Sequence, residues 1–171
     1  YLADLDAGIE GLRIGIDPRY VYDICDAETA RVMDEARKAL SELGARIIEC
    51  TMPPSTAAMH QHWAAYCGVE TAIAHEATYP SRASEYGPVL TGLIEAGRQL
   101  SGMELMKIHH ARLQFGGELR RLFQHIDLLL APVHPFGNPT IRELDELLMQ
   151  PSGLDAALRF TAPFDMSGSP K

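Results

Sequence analysis

The 171-residue sequence contains little cysteine, and the cysteines it has are badly placed for cross-linking. Cys25, Cys50 and Cys67 are odd in number and far apart, with no Cys-x-x-Cys spacing. A disulfide framework or a cysteine zinc site needs paired or closely spaced cysteines. We therefore expect reduced, mostly buried thiols in a cytoplasmic protein. A nucleophilic role for one of them stays open, although nothing in the spacing favours it.

Clustered positive charge is also missing. The chain carries 15 Lys and Arg against 23 Asp and Glu, for a net charge of −8. Recognition of a phosphate backbone needs a basic face. The nearest candidate is Arg112, Arg120 and Arg121 in one predicted helix, which is typical of a solvated face. We expect no nucleic-acid partner.

Long apolar runs and complete catalytic motifs are absent as well. No segment approaches the roughly 18 apolar residues of a membrane span, so no membrane association is expected. The P-loop, the dinucleotide fingerprint and His-Glu-x-x-His do not occur. His60 and His62, like the adjacent His109 and His110, point to different sides of a helix and cannot converge on a metal. We predict neither a metal nor a cofactor.

The first third of the chain predicts a strand–helix–strand unit. Residues 12–17 and 45–50 are predicted to form short buried strands, with Pro18 ending the first. Between them, a helix over 27–43 has Asp26 as its N-cap and Gly44 just beyond its end. Parallel strands joined by a crossover follow from this order. The apolar positions expected to face the core are Val32, Ala36, Ala39, Leu40 and Leu43.

Helices dominate the rest of the chain. We predict helices over 54–79, 88–97, 101–124 and, more weakly, 142–149, with Ser101 and Glu104 forming a capping box. Residues 127–132 are predicted to form a third strand, and their continuous apolar run indicates burial on both faces. Predicted core positions in the long helices include Trp63, Tyr66, Ile73, Ile108, Leu113, Phe115 and Leu119. Three such strands make a thin sheet, which points to a larger fold or a partner.

Six segments in order carry a resemblance to the amidase-signature family. They are Gly-Leu-Arg-Ile-Gly at 11–15, the helix end at 40–45, Tyr-Gly-Pro-Val at 86–89 followed by Gly97, the helix from Ala111-Arg112 to Phe123, Asp-Leu-Leu-Leu-Ala-Pro at 127–132, and Phe-Thr-Ala-Pro at 160–163 with Gly-Ser-Pro at 168–170. Each segment alone is weak, whereas six in the right order are specific. Two departures are Asp165, where Asn is usual, and Val-His after Pro132, where Thr is common.

The resemblance implies hydrolysis or transfer at a carboxamide C–N bond. In the family a serine attacks, a second serine relays the proton and a lysine is the base, with backbone N–H groups forming the oxyanion hole. None of these positions has a counterpart here, so no catalytic residue is assigned. An arginine in the matching helix binds the substrate carboxylate in tRNA-dependent amidotransferases. The resemblance therefore implies Arg112 as a substrate-binding residue, with Tyr86 as a weaker pocket candidate.

From its sequence position alone, Arg112 has two interpretations. It can lie along the protein surface and pair locally, or present a planar guanidinium to a carboxylate or carbonyl.

We expect an α/β fold with a mixed, partly parallel sheet of few strands flanked by helices. Residues 1–171 would form the C-terminal portion of an amidase-signature domain, contributing sheet and pocket wall. The isolated chain should be inactive, should expose apolar surface, and should self-associate or form a homo-oligomer. A small carboxamide is the expected substrate of the complete enzyme. The alternative is a non-catalytic α/β binding or interaction module derived from the same fold.

Overall fold

The three apolar runs form one parallel sheet. In the computed structural model, which describes residues 6–169, the strands are β1 (Arg13–Ile16), β2 (Arg46–Glu49) and β3 (Leu128–Leu129). Their order is β2-β1-β3, and both pairs are parallel. Ile14 of β1 lies opposite Ile47 of β2 and Leu128 of β3. The predicted α/β class is confirmed, as a largely helical chain around a small parallel sheet.

Eight α-helices account for most of the described residues. They are α1 (Pro18–Tyr22), α2 (Ala27–Glu42), α3 (Thr56–Ala74), α4 (Pro88–Gln99), α5 (Gly102–Leu122), α6 (Ile141–Leu148), α7 (Pro151–Leu158) and α8 (Ala162–Ser167), with a 3-10 turn over Ala83–Glu85. The chain divides into two units. The first comprises the residues before Ser55 together with Gly117–Thr161, and the second comprises Ser55–Gly116 and the residues from Ala162 onward.

Polar caps set the element boundaries in the first unit. Asp26 accepts the backbone N–H of Thr29 at 2.7 Å, which begins α2 as predicted. Gly44 has a φ of 92°, a left-handed conformation that favours glycine after a helix. The core between sheet and helices contains Ile16, Val21 and Met33, with Ile47 and Leu130 packed against them.

The second unit depends on a close helix crossing. A Cβ added to Gly97 of α4 would lie 2.0 Å from the carbonyl oxygen of Gly68 on α3, so the two backbones nearly touch. Met59 and Ile94 are fully buried in this unit. Ser101 and Glu104 form the predicted capping box, with each backbone N–H donating to the other's side chain.

Several sequence predictions about local structure are wrong. Pro18 begins α1 instead of only ending a strand, and neither α7 nor α8 was predicted. Val32 and Leu43, placed on the core face of α2, are exposed, and Met33 is buried instead. Ile73 and Leu113 are also exposed. Leu128 is 51% exposed, so β3 is not buried on both faces within the described residues. Pro170, the last residue of the C-terminal resemblance, lies outside them.

Candidate functional site

Arg112 lies in α5 and uses its side chain to hold the start of the C-terminal segment. Its Nε donates a 2.7 Å hydrogen bond to the backbone carbonyl of Met166 in α8. The guanidinium carbon lies 4.2 Å from the centroid of the Tyr66 ring on α3, which is cation–π geometry. A planar cation fits both contacts, whereas an ammonium group could not stack in the same way. The structure thus places the predicted residue at a junction of three helices.

A second contact joins α3 to α8 near the same place. The indole Nε1 of Trp63 donates to the carboxylate of Asp165 at 3.3 Å. Trp63 and Tyr66 are three residues apart and share a face of α3. Burial, followed by the charges of Glu70 and Asp165, raises the pKa of the neighbouring Cys67 thiol above its ordinary value. A thiol in this state is a poor nucleophile at neutral pH.

Tyr86 is held by a different set of partners. Its hydroxyl lies 2.5 Å from Oγ1 of Thr78 and 3.0 Å from Nδ1 of His75. The rings of His75 and Tyr79 meet the Tyr86 ring edge-on, with centroids 5.2 and 5.6 Å away. These contacts fix the loop between α3 and α4. Both predicted substrate-binding residues lie in the second unit, but within residues 6–169 they share no contacting residue.

The other cysteines also resemble structural thiols. Burial raises the pKa of Cys50 to about 11, with further contributions from Asp17 and Glu49. Burial likewise raises the pKa of Cys25, and the nearby charge of Asp26 adds to the effect. The sequence-based expectation of mostly buried thiols is met only in part, because all three cysteines are half-buried.

Asp17, which sequence reasoning assigned only to a turn, is a buried carboxylate at the end of β1. One oxygen accepts the N–H groups of Arg19 and Tyr20, at 3.0 and 3.1 Å. The other accepts the N–H of Met52, after β2, at 2.6 Å. The signal available in the sequence was an Asp-Pro pair directly after a strand, which is an N-cap followed by proline at the first helical position.

Two further properties bear on possible ligands. Among residues 6–169, no group of three or more His, Cys, Asp or Glu side chains is arranged to hold a metal ion. Within the same range, no helix has the length and apolar character needed to cross a membrane.

Comparison with known proteins places the chain in a defined context. The family model described as Amidase matches residues 4–171. The Mycobacterium tuberculosis protein named "Putative amidase AmiD" is 45% identical over 103 residues, covering 60% of this chain and 22% of that protein. A Pseudomonas putida amidase is 26% identical over 175 residues, covering 99% of this chain and 37% of the relative. The chain thus spans well under half the length of the relatives it matches.

Solved structures show the same fold. A crystal structure of an amidase superposes with a TM-score of 0.76 at 19% identity, covering 94% of this chain and 37% of the other. The substrate complex of 6-aminohexanoate cyclic dimer hydrolase gives a TM-score of 0.73 at 22% identity, with coverage of 93% and 37%. At these identities the likeness concerns the fold.

Proposed function

This chain belongs to the amidase-signature family, and from that premise we propose that it is part of an enzyme that hydrolyses a carboxamide C–N bond. The observation that carries the proposal is the family match over residues 4–171. Amidase relatives, including the Pseudomonas putida amidase of which the chain spans 37%, support the same reaction class. The chemistry proposed for the complete enzyme is attack by a serine, with a second serine and a lysine moving the proton.

The role we propose for this segment is to supply sheet and pocket wall. The side chains that serine–serine–lysine catalysis requires have no recognised counterpart in this sequence. Its own polar groups are committed to structure: Asp17 ties strand ends together, and Arg112 holds α8. We therefore propose that the chain alone does not turn over amides, and that it acts in the cytoplasm.

Substrate contact is proposed for Arg112. Of the five N–H donors of a guanidinium, Nε is engaged with Met166, which leaves the terminal amino groups to bind a substrate carbonyl or carboxylate. The ring of Tyr66 holds the plane in one orientation. Tyr86 is proposed to shape the pocket through the loop that its hydroxyl fixes.

The substrate class remains broad within carboxamides and related C–N compounds. The names of similar proteins include a 2-amino-5-chloromuconic acid deaminase from Comamonas testosteroni and a component of glutamyl-tRNA(Gln) amidotransferase from a Geobacter species. The family fold therefore accompanies several activities, and substrate choice has to be measured.

Ammonia release tests the proposed reaction. A panel of aliphatic, aryl and urea-type amides is incubated with this chain and with a version extended upstream to the length of its relatives. We expect turnover only by the longer chain. Turnover by the 171-residue chain would show that it holds its own nucleophile, and inactivity of a well-folded longer chain across the panel would favour a non-catalytic binding module.

Arg112→Lys in the longer chain tests the substrate contact. Lysine keeps the charge but loses the stacked plane and the Nε–H bond to Met166. We expect KM to rise more than kcat falls, because a contact made equally in ground and transition states is lost. Arg120→Lys, at an exposed position of the same helix, is the control and should leave both constants unchanged. Equal effects of the two substitutions would contradict the assignment.

A further inference from the structure

The carboxyl end of the sheet gathers polar residues that the proposed reaction does not use. Parallel strands end at one edge, and the order β2-β1-β3 puts the first strand between its two neighbours. In open parallel sheets with this beginning, ligands bind outside the carboxyl ends, beside the strand where the order changes direction. Asp17 and α1 follow β1 at this edge, and Tyr20 lies in α1.

Tyr20 holds Arg159 from two directions. The Tyr20 hydroxyl donates a 2.6 Å hydrogen bond to the backbone carbonyl of Arg159. The guanidinium carbon of Arg159 lies 5.1 Å from the centroid of the Tyr20 ring. Phe160 meets the same ring edge-on, with centroids 5.1 Å apart. Since Tyr20 is itself buried, Arg159 is held against a rigid support within the first unit.

The guanidinium of Arg159 has an unmet need. Its Nε is buried and has no hydrogen-bond partner among residues 6–169. None of the ion pairs in this range includes Arg159, although six other cationic side chains have acidic partners. Both oxygens of Asp17 already accept backbone N–H groups. A buried charged donor without an acceptor is unfavourable, so an acceptor supplied from outside would bind well.

We propose that Arg159 is a binding site for the carboxylate group of a ligand at the carboxyl edge of the sheet. A planar carboxylate matches the fork formed by Nε and one terminal amino group, accepting two parallel hydrogen bonds. Asp17 accepts the N–H of Tyr20, so the site already contains one negative charge beside the arginine's support. A singly charged carboxylate suits this environment better than a doubly charged phosphate. The site is independent of whether the protein hydrolyses amides.

The Nε–H group of Arg159 can be observed directly. The 171-residue chain, at 18.8 kDa, is suited to ¹⁵N NMR of arginine side chains. Sodium acetate and inorganic phosphate are titrated at constant ionic strength, and the Arg159 signal is assigned by its loss in Arg159→Lys. Arg112, whose Nε already donates to Met166, and Arg142 on the exposed side of α6 are internal controls.

We expect the Arg159 Nε–H signal to move downfield and saturate with acetate, at lower concentration than with phosphate. The Arg112 signal should stay in place. Tyr20→Phe, which removes the hydrogen bond to the Arg159 carbonyl, should weaken the response without removing the arginine. An immobile Arg159 signal, or one that drifts linearly as Arg142 does, would overturn the site; tighter binding of phosphate would overturn the carboxylate class. None of these readouts depends on catalysis, so failure of the amidase assay leaves the test intact.

Discussion

Single residues in this chain act mainly through backbone proximity and committed hydrogen bonds. Arg112 illustrates how far sequence can reach. Its position in a helix among apolar neighbours left open a local surface pairing or an aimed guanidinium. The structure shows a third arrangement, with the side chain bonded to a carbonyl and stacked on Tyr66. That aromatic partner lies three helical elements earlier in the chain and could not be inferred from helical spacing, which relates only near neighbours.

Gly97 offers a test at the residue scale. Because its added Cβ would lie 2.0 Å from the Gly68 carbonyl, Gly97→Ala must push α3 and α4 apart. We expect a loss of about 1–3 kcal/mol in the free energy of unfolding, the usual range for overpacking. Urea unfolding measures it.

Gly92→Ala in the same helix is the matched control for Gly97→Ala. Nothing lies within 4 Å of a Cβ at position 92. Alanine there should stabilise the chain by up to about 1 kcal/mol through helix propensity. Similar effects at both positions would contradict a close crossing at Gly97.

At the scale of elements, periodic helices were predictable and short ones were not. The sequence predicted α2, α3, α4 and α5 because each shows caps or several turns of apolar spacing. The missed helices α1, α7 and α8 have five, eight and six residues. Each has proline in its first turn, which resembles a break unless the preceding cap is recognised. Such helices gain little from local propensity and depend on tertiary packing.

The face of a helix was harder to predict than the helix itself. In α5, Ile108 and Phe115 are buried, while Met103, Met106 and Leu113 are 70%, 49% and 60% exposed. These three residues, the α5 stripe, recur at spacings of three and seven on the side opposite the buried pair. Apolar periodicity marks a face that can be buried, and in α5 two faces qualify. This is why Leu113 was wrongly assigned to the core.

Dye binding tests the α5 stripe. We expect the chain to enhance the fluorescence of a hydrophobic probe such as ANS, and substitution of all three stripe residues by Gln to reduce that signal by more than half, because contiguous apolar patches bind such dyes. Val89→Gln, at an isolated position that is 85% exposed, is the control and should change the signal little. A triple variant that binds dye like the parent would show that the exposed apolar surface lies elsewhere.

A charged clamp joins β1 to the start of β3 and predicts acid sensitivity. Arg13 donates to both carboxylate oxygens of Asp127 through its side chain, and to one of them through its backbone N–H. These bonds lower the pKa of Asp127 to about 2. Stability gained from a lowered pKa is present above the ordinary aspartate value and is lost as pH falls through the folded one.

Asp127→Asn should therefore unfold at lower urea concentration than the parent at pH 7, with the difference shrinking between about pH 4 and pH 2. Asp145→Asn, on the exposed side of α6, is the control and should show a small effect with little dependence on pH. A constant difference for Asp127→Asn down to pH 2 would exclude the clamp as its cause.

For the whole molecule, net charge gives a simple expectation. With a net charge of −8 and an isoelectric point near 5.3, the chain repels its copies at pH 8 and loses that repulsion near pH 5. We expect solubility to pass through a minimum near the isoelectric point, measured as protein remaining in solution after centrifugation across a pH series. A minimum displaced to pH 7 or above would point to association through apolar surface instead.

The family could be predicted at this scale, because six short segments in order carry more information than any one of them. The sheet's thinness was predictable too, and the order of its strands follows from the parallel pairing. What sequence could not supply was the set of contacts between distant segments, such as those of Tyr20 with Arg159.

Each outer strand of the sheet has a practical consequence for anyone handling the protein. Within the described residues, β2 and β3 pair on one side only, so each presents a row of free backbone donors and acceptors. In β2, Arg46 and Glu49 flank the two isoleucines and discourage a newcomer. The Leu-Leu of β3 has no such guard within the strand. Concentrated samples should therefore age from that side, by strand addition, and a lysine at Leu129 should lengthen their storage life.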